Sequence, residues 1–170
     1  MEPTGQSPNI IMMVGLPGSG KSSVIRRLLA DFADKEYVVL SPDDLVLDMS
    51  RQDGLNYTQT VRKFGFKKAE SLFIDQFKQA LAAGKNIIVD RTNLTVGIRA
   101  TPLRDAPPGY IKTAVICEVE PEELNRRLAD RETRTGTEIS EKVLTKMIAA
   151  YQPPSHPEFD EIKRVRFVAK

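Results

Sequence analysis

The sequence is poor in the residues that build disulfides and soft-metal centres, with no tryptophan, one cysteine and one histidine. Cys117 has no partner for an intramolecular disulfide, and a zinc site would lack its usual sulfur and imidazole ligands. His156 lies between serine and proline near the chain end, so we expect neither a catalytic triad nor a histidine metal site. No apolar run approaches the roughly 20 residues that span a bilayer, and residues 1–9 lack the basic and apolar segments of a signal peptide. We therefore expect a soluble, cytoplasmic protein without a membrane partner.

The charge is nearly balanced, and a formal net charge of +2 is too small to indicate a nucleic-acid-binding protein by itself. Its distribution is uneven, because basic and aromatic residues accumulate between 54 and 69, where no acid occurs. These residues are Tyr57, Arg62, Lys63, Phe64, Phe66, Lys67 and Lys68. Further basic clusters lie at 126–134 and 163–170.

Residues 15–22 read Gly-Leu-Pro-Gly-Ser-Gly-Lys-Ser and match the phosphate-binding loop pattern G-x-x-x-x-G-K-[ST]. An apolar run precedes the loop and a helical spacing of apolar residues follows it, which argues against a glycine-rich turn with a chance lysine. In such a loop backbone N–H groups surround the β-phosphate, Lys21 bridges the β- and γ-phosphates, and the Ser22 hydroxyl ligates Mg²⁺. We therefore predict that the chain binds ATP and Mg²⁺. The predicted nucleotide-binding residues here are Gly15, Pro17, Gly18, Ser19, Gly20, Lys21, Ser22 and Ser23.

Apolar runs and amphipathic stretches alternate along the chain, which is typical of a parallel sheet covered by helices on both faces. We predict an α/β fold of the P-loop NTPase type with about five strands and an arginine-bearing lid. Residues 9–170 are expected to form a single P-loop kinase domain after a disordered leader, 1–8. The predicted strands lie near 9–14, 36–40, 86–90, 110–118 and 162–168. The predicted helices lie near 21–33, 43–49, 58–83, 96–105, 121–131 and 140–151.

Two aspartates, Asp43 and Asp44, follow the second predicted strand at the sheet edge where ligands collect. An aspartate beside the phosphate loop can orient an attacking hydroxyl and accept its proton. A helix start with acids in its first turn explains the same Ser-Pro-Asp-Asp sequence without catalysis. We assign the catalytic base and an acceptor contact to Asp43, and the helix start to Asp44.

Asp90 ends the third predicted strand and is followed by Arg91, Thr92 and Asn93. Two roles are open for Asp90: it assists Mg²⁺ through coordinated water, or it holds Arg91 and Asn93 against the acceptor. Thr92 and Asn93 are equally compatible with local hydrogen bonds of the loop. We predict Asp90 and Ser22 at the metal site, and Asp90, Arg91 and Asn93 among the acceptor-binding residues.

Four arginines precede Gly136 and a new helix near Ser140. This pattern suits a lid, in which an arginine neutralises charge on the transferred phosphoryl group and closure excludes water. A solvated helix face, held by pairs with Glu122, Glu123 and Asp130, explains the same cluster. We predict Arg131 and Arg134 as catalytic together with Asp43 and Lys21. The predicted nucleotide-binding arginines are Arg127, Arg131 and Arg134.

The combined pattern resembles the polynucleotide 5′-kinase branch of P-loop kinases, which includes phage-type and eukaryotic enzymes. The phosphate loop with Pro17 is similar to theirs, and Asp43 matches the family's catalytic aspartate. Residues 90–94 resemble its D-x-T-N element, and Arg134 matches the lid arginine that contacts ATP phosphates. The resemblance implies transfer of the ATP γ-phosphate to the 5′-hydroxyl of a DNA or RNA strand, in a nucleic-acid repair setting.

One position departs from the phage-type pattern. An arginine for the acceptor-side phosphate lies there three residues beyond the catalytic aspartate, and the corresponding residue here is Val46. Acceptor contacts then come from Arg51 or from the stretch 57–68, whose aromatics can stack on bases while its lysines contact phosphates. Core packing of Phe64 and Phe66 is the alternative.

Two other functions stay open. One is a P-loop kinase of a small hydroxyl metabolite or nucleoside, whose pocket would close over the site. The other is a nucleotide-dependent switch with slow hydrolysis and a protein partner. A nucleic-acid kinase would instead leave a positive groove, whose binding weakens steeply with salt.

Overall fold

The computed structural model describes residues 7–135 and 139–167, and at 134 and 135 it describes the backbone alone. The strands are β1 (Asn9–Val14), β2 (Tyr37–Leu40), β3 (Asn86–Val89), β4 (Ile111–Val119) and β5 (Glu161–Phe167). The helices are α1 (Lys21–Asp31), α2 (Pro42–Asp53), α3 (Tyr57–Phe64), α4 (Phe66–Ala82), α5 (Val96–Arg104), α6 (Pro121–Thr135) and α7 (Glu141–Ala149). This order confirms the predicted alternation of strands and helices.

The strands form one sheet in the order β2-β3-β1-β4-β5, and every neighbouring pair is parallel. The predicted five-stranded parallel α/β fold is therefore confirmed. β1 lies at the centre, paired with β3 through Ile11 and Ile88 and with β4 through Ile11 and Thr113. Because all carboxyl ends meet at one edge, the loops after β1, β2 and β3 are brought together there.

Alternate residues of β1 serve the two faces of the sheet. Ile10 and Met12 join a core that contains Phe73 of α4 and Leu103 of α5. Ile11 and Met13 join a second core with Val24, Ile25 and Leu28 of α1. The sheet is thus covered by helices on both faces, which explains why its central strand is apolar throughout.

The predicted single helix at 58–83 is wrong, because α3 and α4 are separate helices that meet at Gly65. Gly65 has a φ of 73°, a left-handed conformation that interrupts the α-helix and that glycine adopts without a steric penalty. α3 begins with a capping box, in which the side chains of Asn56 and Gln59 each accept the other residue's N–H. The helix predicted at 43–49 is longer than expected, since Ser41 caps it before Pro42 and it continues to Asp53.

Candidate active site

The phosphate loop follows β1 at the middle of the sheet edge, and two of its glycines leave no space for a side chain. A Cβ on Gly15 would lie 2.5 Å from Oγ of Ser19 and 2.8 Å from the carbonyl oxygen of Cys117. Gly20 has a φ of 95°, and a Cβ there would lie 2.8 Å from Cε2 of Phe167. The loop backbone therefore packs directly on β4 and on the end of β5.

The ammonium group of Lys21 lies inside this loop. Its Nζ donates hydrogen bonds to the carbonyl oxygens of Gly15 (3.0 Å) and Leu16 (2.9 Å). Burial lowers the pKa of Lys21, and the carboxylate of Asp90 acts in the opposite direction. The buried Oγ of Ser19 has no hydrogen-bond partner within the described part of the chain. The phosphate groups of a nucleotide fit this loop, because its glycines carry no side chains, the Lys21 ammonium is buried and the Ser19 hydroxyl is unsatisfied.

The two serines after Lys21 have different surroundings. Ser22 is exposed at the second position of α1, whereas the Oγ of Ser23 accepts a hydrogen bond from Nη2 of Arg26 at 3.1 Å. Pro17 is half-buried in the loop. Among residues 7–135 and 139–167, no group of three or more His, Cys, Asp or Glu residues is placed to hold a metal ion. Mg²⁺ needs only one or two protein oxygens when phosphates and water complete its shell, and the Ser22 hydroxyl fits that requirement.

Carboxylates gather at the same edge of the sheet, after β2 and β3. Asp43 and Asp44 occupy the first turn of α2, where the N–H of Asp44 donates to Oγ of the capping Ser41 at 3.2 Å. Burial raises the pKa of Asp90, and the Lys21 ammonium opposes this effect. The charges of Asp44 and Asp43 raise the same pKa further. Asp43, Asp44, Asp90 and Lys21 therefore form one electrostatic group beside the loop.

Tyr57 is the hydrogen-bond partner of Asp43, and sequence analysis missed this contact. The phenol O–H of Tyr57 donates to Oδ1 of Asp43 at 2.7 Å, across 14 positions of the chain. No local spacing rule joins residues separated by a helix and a turn. The available sequence signal was the place of Tyr57 at the start of the basic, aromatic stretch.

The segment after β3 anchors the phosphate loop. The carbonyl oxygen of Thr92 accepts a hydrogen bond from the N–H of Gly15 (3.0 Å), and Nδ2 of Asn93 donates to the carbonyl oxygen of Met13 (2.7 Å). Asn93 has a φ of 48°, and none of its surface is exposed. The structure thus places this predicted acceptor-binding residue in the interior, against β1.

Arg99 of α5 is a buried ionic residue that sequence analysis also missed. Its Nε and Nη2 each donate to a carboxylate oxygen of Glu158 at 2.9 Å. Its Nη1 donates to the carbonyl oxygens of Asn93 (3.0 Å) and Gln152 (2.8 Å). Because all three nitrogens have partners, the fully buried charge is compensated, and it ties the segment after β3 to the segment before β5.

Arg127 of α6 touches the phosphate loop. Its Nη1 donates to the carbonyl oxygen of Gly18 at 3.4 Å, and its guanidinium lies 4.9 Å from the ring centroid of Phe167. Its Nε donates to Oε1 of Glu123 at 2.6 Å. Arg126 instead forms two bonds to Glu123, at 2.8 and 2.7 Å, on the exposed side of the helix. Arg126 therefore fits the solvated-face interpretation of the arginine cluster, whereas Arg127 lies beside the loop.

Arg131 lies one turn further along α6. Burial is the main influence on the pKa values of Lys21 and Tyr57, lowering the first and raising the second. The charge of Arg131 acts to lower both. The side chain of Arg134 lies outside the described residues, and its assignment stays a prediction.

Two predicted acceptor-binding arginines pair with acids. Arg91 makes a bidentate pair with Glu70 of α4, with N–O distances of 3.0 and 2.7 Å. Arg51, in the last turn of α2, bonds to Asp48 at 2.8 Å and is largely exposed. At about 1.5 Å of rise per residue, Arg51 lies roughly 12 Å along the helix from Asp43. Neither guanidinium contacts Asp43 in this structure.

A parallel sheet in this order, with a phosphate loop after its central strand, defines a P-loop kinase-like domain of the NTPase class, a fold that implies nucleotide binding. A family model described as an AAA domain matches residues 10–154, and the chain belongs to this family. No helix among the described residues is long and apolar enough to cross a membrane.

Among curated proteins, the chain is 26% identical over 162 residues to heterogeneous nuclear ribonucleoprotein U-like protein 2 of Mus musculus and of Homo sapiens. The match covers 90% of this chain and 21% of each relative, so the chain spans about a fifth of their length.

Solved structures share the fold at low sequence identity. Kti12 of Chaetomium thermophilum, in complex with ADP-AlF3, has a TM-score of 0.71 and 16% identity, covering 93% of this chain and 89% of that one. A chain of the Pnkp1/Rnl/Hen1 RNA repair complex has a TM-score of 0.65 and 20% identity, covering 87% and 45%. A gluconokinase from Sinorhizobium meliloti 1021 has a TM-score of 0.57 and 18% identity, covering 95% and 84%.

Proposed function

We propose that the chain is an ATP-dependent phosphotransferase that acts on the 5′-hydroxyl of a DNA or RNA strand. The observation that carries the proposal is the position of α3. Its first residue, Tyr57, touches Asp43, and the ring centroid of its last residue, Phe64, lies 4.7 Å from each of two ammonium groups. A candidate base and a basic, aromatic surface are therefore joined by one short helix.

The donor side of the proposed site is built by the phosphate loop and α6. Lys21 and the loop N–H groups hold the phosphates, Arg127 and Arg131 neutralise charge, and Arg134 is proposed to join them. Ser22, with Asp90 through water, holds Mg²⁺. ATP supplies the phosphoryl group, and the metal ion offsets the charge that builds up on it.

Asp43 is the proposed general base. Its carboxylate orients the acceptor hydroxyl and accepts the hydroxyl proton as the new phosphorus–oxygen bond forms. The charge of Asp43 acts on the pKa values of both Asp90, which burial raises, and Lys21, which burial lowers, and in each case it acts to raise the pKa. Asn93 is proposed to act indirectly, by holding the loop on β1, and Arg91 by fixing the loop against Glu70 of α4.

The acceptor strand is proposed to lie over α3 and the start of α4. The Nζ atoms of Lys63 and Lys68 each lie 4.7 Å from the ring centroid of Phe64, and Phe66 is 37% exposed. Lysines at this spacing can contact backbone phosphates while an exposed ring stacks on a base. Arg51 is a proposed outer contact at the far end of α2. One structural neighbour belongs to an RNA repair complex and the curated relatives are named as ribonucleoproteins, which is consistent with such an acceptor.

A second candidate acceptor is a small hydroxyl compound, and one observation favours it. A groove of about 620 Å³ runs along β2, the edge strand, beside the start of α2. Its lining contains Ser41, Asp44, Asp48 and two glutamines, and no lysine or arginine. Carboxylates and amides suit an uncharged polyhydroxyl ligand better than a polyanion. The likeness in fold to a gluconokinase is compatible with this alternative.

The test is to incubate the protein with γ-labelled ATP and 5′-hydroxyl oligonucleotides of DNA and RNA and to count label at the 5′ end. We expect labelled strands. Label on an uncharged sugar or a nucleoside, with none on either strand, would replace the nucleic-acid acceptor by the small one. Tight ATP binding without label on any hydroxyl would favour a nucleotide-dependent switch.

Asp43→Asn is the variant that tests the base. We expect turnover to fall by roughly 10²- to 10⁴-fold, the range typical of a positioned base, while the Kd for ATP changes less than about twofold. Asp31→Asn is the control, since Asp31 is an exposed aspartate at the end of α1 that pairs with Arg27 at 3.6 Å. Unchanged turnover in Asp43→Asn would place the base elsewhere.

A further inference from the structure

Among the described residues, Tyr57 is the one that donates a hydrogen bond to the carboxylate of Asp43. The Tyr57 O–H donates to Oδ1 at 2.7 Å, and Oδ2 accepts a hydrogen bond from no residue that the structure describes. The two oxygens of this exposed carboxylate are therefore in different environments, one held by a phenol and the other without a hydrogen-bond donor among the described residues.

The phenol stays a donor over the working pH range. Burial raises the pKa of Tyr57 above its ordinary value, and the hydrogen bond to Asp43 and the charge of Asp43 raise it further. Arg131 opposes this effect without reversing it. The proton of the contact therefore belongs to Tyr57, and Asp43 is the acceptor.

The helix that carries Tyr57 is fixed on α2. The hydroxyls of Ser50 and Thr60 share a buried hydrogen bond of 2.8 Å, and Thr60 has no exposed surface. The capping box of Asn56 and Gln59 fixes the first turn of α3, with both bonds at 2.9 Å. Tyr57 is therefore presented to Asp43 by a well-supported helix start.

We propose that Tyr57 is a positioning residue for Asp43, holding Oδ1 so that Oδ2 faces the acceptor hydroxyl. The inference rests on the proposed function, in which Asp43 takes the hydroxyl proton. That proton passes to Oδ2, and the Tyr57 proton stays on its own oxygen, so no further proton donor or acceptor is needed. The Tyr57 hydroxyl acts through Asp43 and does not touch the reacting atoms.

The test compares Tyr57→Phe, which removes one hydroxyl, with Tyr151→Phe just after α7, at a residue that is 38% exposed. Losing a hydrogen bond to a charged group should lower kcat by about tenfold. We expect the KM for ATP to change less than twofold, and Tyr151→Phe to match the wild type. In the double variant with Asp43→Asn, Tyr57→Phe should cause no further loss, because its partner is gone.

Each outcome decides between the two proposals. If Asp43→Asn is inactive and Tyr57→Phe has an unchanged kcat, the role of Tyr57 alone is overturned. The same holds if the double variant loses kcat by the product of the two single losses. Unchanged turnover in Asp43→Asn, or no phosphotransfer to any acceptor, overturns both. If only a small hydroxyl compound is phosphorylated, the acceptor proposal fails and the same series is measured with that compound. Urea unfolding of the wild type, the two single variants and the double variant should show that the two changes in the free energy of unfolding are not additive. This result would confirm the contact without a catalytic measurement.

Discussion

Gly20 combines a constrained backbone with a constrained neighbourhood at the end of the phosphate loop. Its φ is 95°, and a Cβ would lie 2.8 Å from the Phe167 ring and 3.1 Å from Nη1 of Arg127. We expect Gly20→Ala to lose roughly 1–2 kcal/mol of stability from the left-handed backbone, with more from the clash. The displaced Arg127 and loop should also weaken ATP binding by at least tenfold. Calorimetric titration with ATP and thermal unfolding measure both effects.

Gly109→Ala is the matched control for this substitution. Gly109 has nearly the same φ, 98°, and no heavy atom lies within 4 Å of a Cβ built there. It should lose stability through the backbone alone and keep wild-type affinity for ATP. Equal ATP affinity in Gly20→Ala and Gly109→Ala would show that the contacts of Gly20 do not shape the nucleotide site.

At the residue scale, the sequence predicts well the positions of groups that follow from local spacing. The loop from Gly15 to Ser22 and the aspartates after β2 and β3 meet at one edge, because a parallel sheet requires it. It does not predict Tyr57 as the partner of Asp43, or Arg99 as a buried clamp, because those contacts join elements whose packing is decided by the whole core. The interior position of Asn93 has the same cause.

At the element scale, α6 carries an ionic cluster whose pH dependence can be worked out. Hydrogen bonds from Arg126 and then Arg127 hold the pKa of Glu123 at about 2, against about 4.3 in an unfolded chain. Between these values the unfolded state binds more protons, so stability rises with pH and is lost as pH falls from about 4 to about 2. We expect Glu123→Gln to flatten this part of the stability curve. Urea midpoints between pH 2 and 6 provide the measurement.

Glu122→Gln is the control on the same turn of α6. Glu122 is exposed, so its substitution should leave the acid loss of stability as in the wild type. Identical curves for Glu123→Gln and the wild type would mean that the ion pairs of α6 do not persist in solution. At neutral pH we also expect Glu123→Gln to hold Arg127 less firmly beside Gly18, since the carboxylate charge that pairs with Arg127 is lost.

The sequence predicts elements well where periodicity and stop signals agree, and less well where they conflict. Helical spacing continues through Gly65, from Val61 and Phe64 on one side to Ala69 on the other, so the pattern alone predicts one long helix. The break depends on the left-handed backbone of a single residue, at a φ of 73°. That break sets the direction of α3, and with it the contact between Tyr57 and Asp43.

At the scale of the whole molecule, two chemically different surfaces flank the start of α2. The acidic, amide-rich groove follows edge strand β2, and the basic, aromatic surface follows α3 and the start of α4. The remaining basic cluster on β5 lies at the opposite edge of the sheet. Pairing with acids does not distinguish the two clusters, since Lys163 pairs with Glu161 at 3.2 Å and Lys63 of α3 pairs with Asp53 at 2.8 Å. A nucleic-acid acceptor and a small neutral acceptor should therefore use different surfaces and respond differently to salt.

Salt dependence distinguishes the two surfaces directly. Single strands release about 0.7 counterion per phosphate that is neutralised, so a strand held by three or four basic residues of α3 and α4 should bind with a log–log slope of roughly −2 to −3. Replacing Lys67 and Lys68 with glutamine should bring the slope closer to zero by about 1.4, whereas Lys163→Gln removes a charge at the far edge and should leave it unchanged. Fluorescence anisotropy of a labelled 5′-hydroxyl oligonucleotide between 50 and 300 mM salt measures each slope. Equal slopes in all variants would place the strand away from α3, and negligible strand binding at low salt would leave the groove along β2 as the acceptor site.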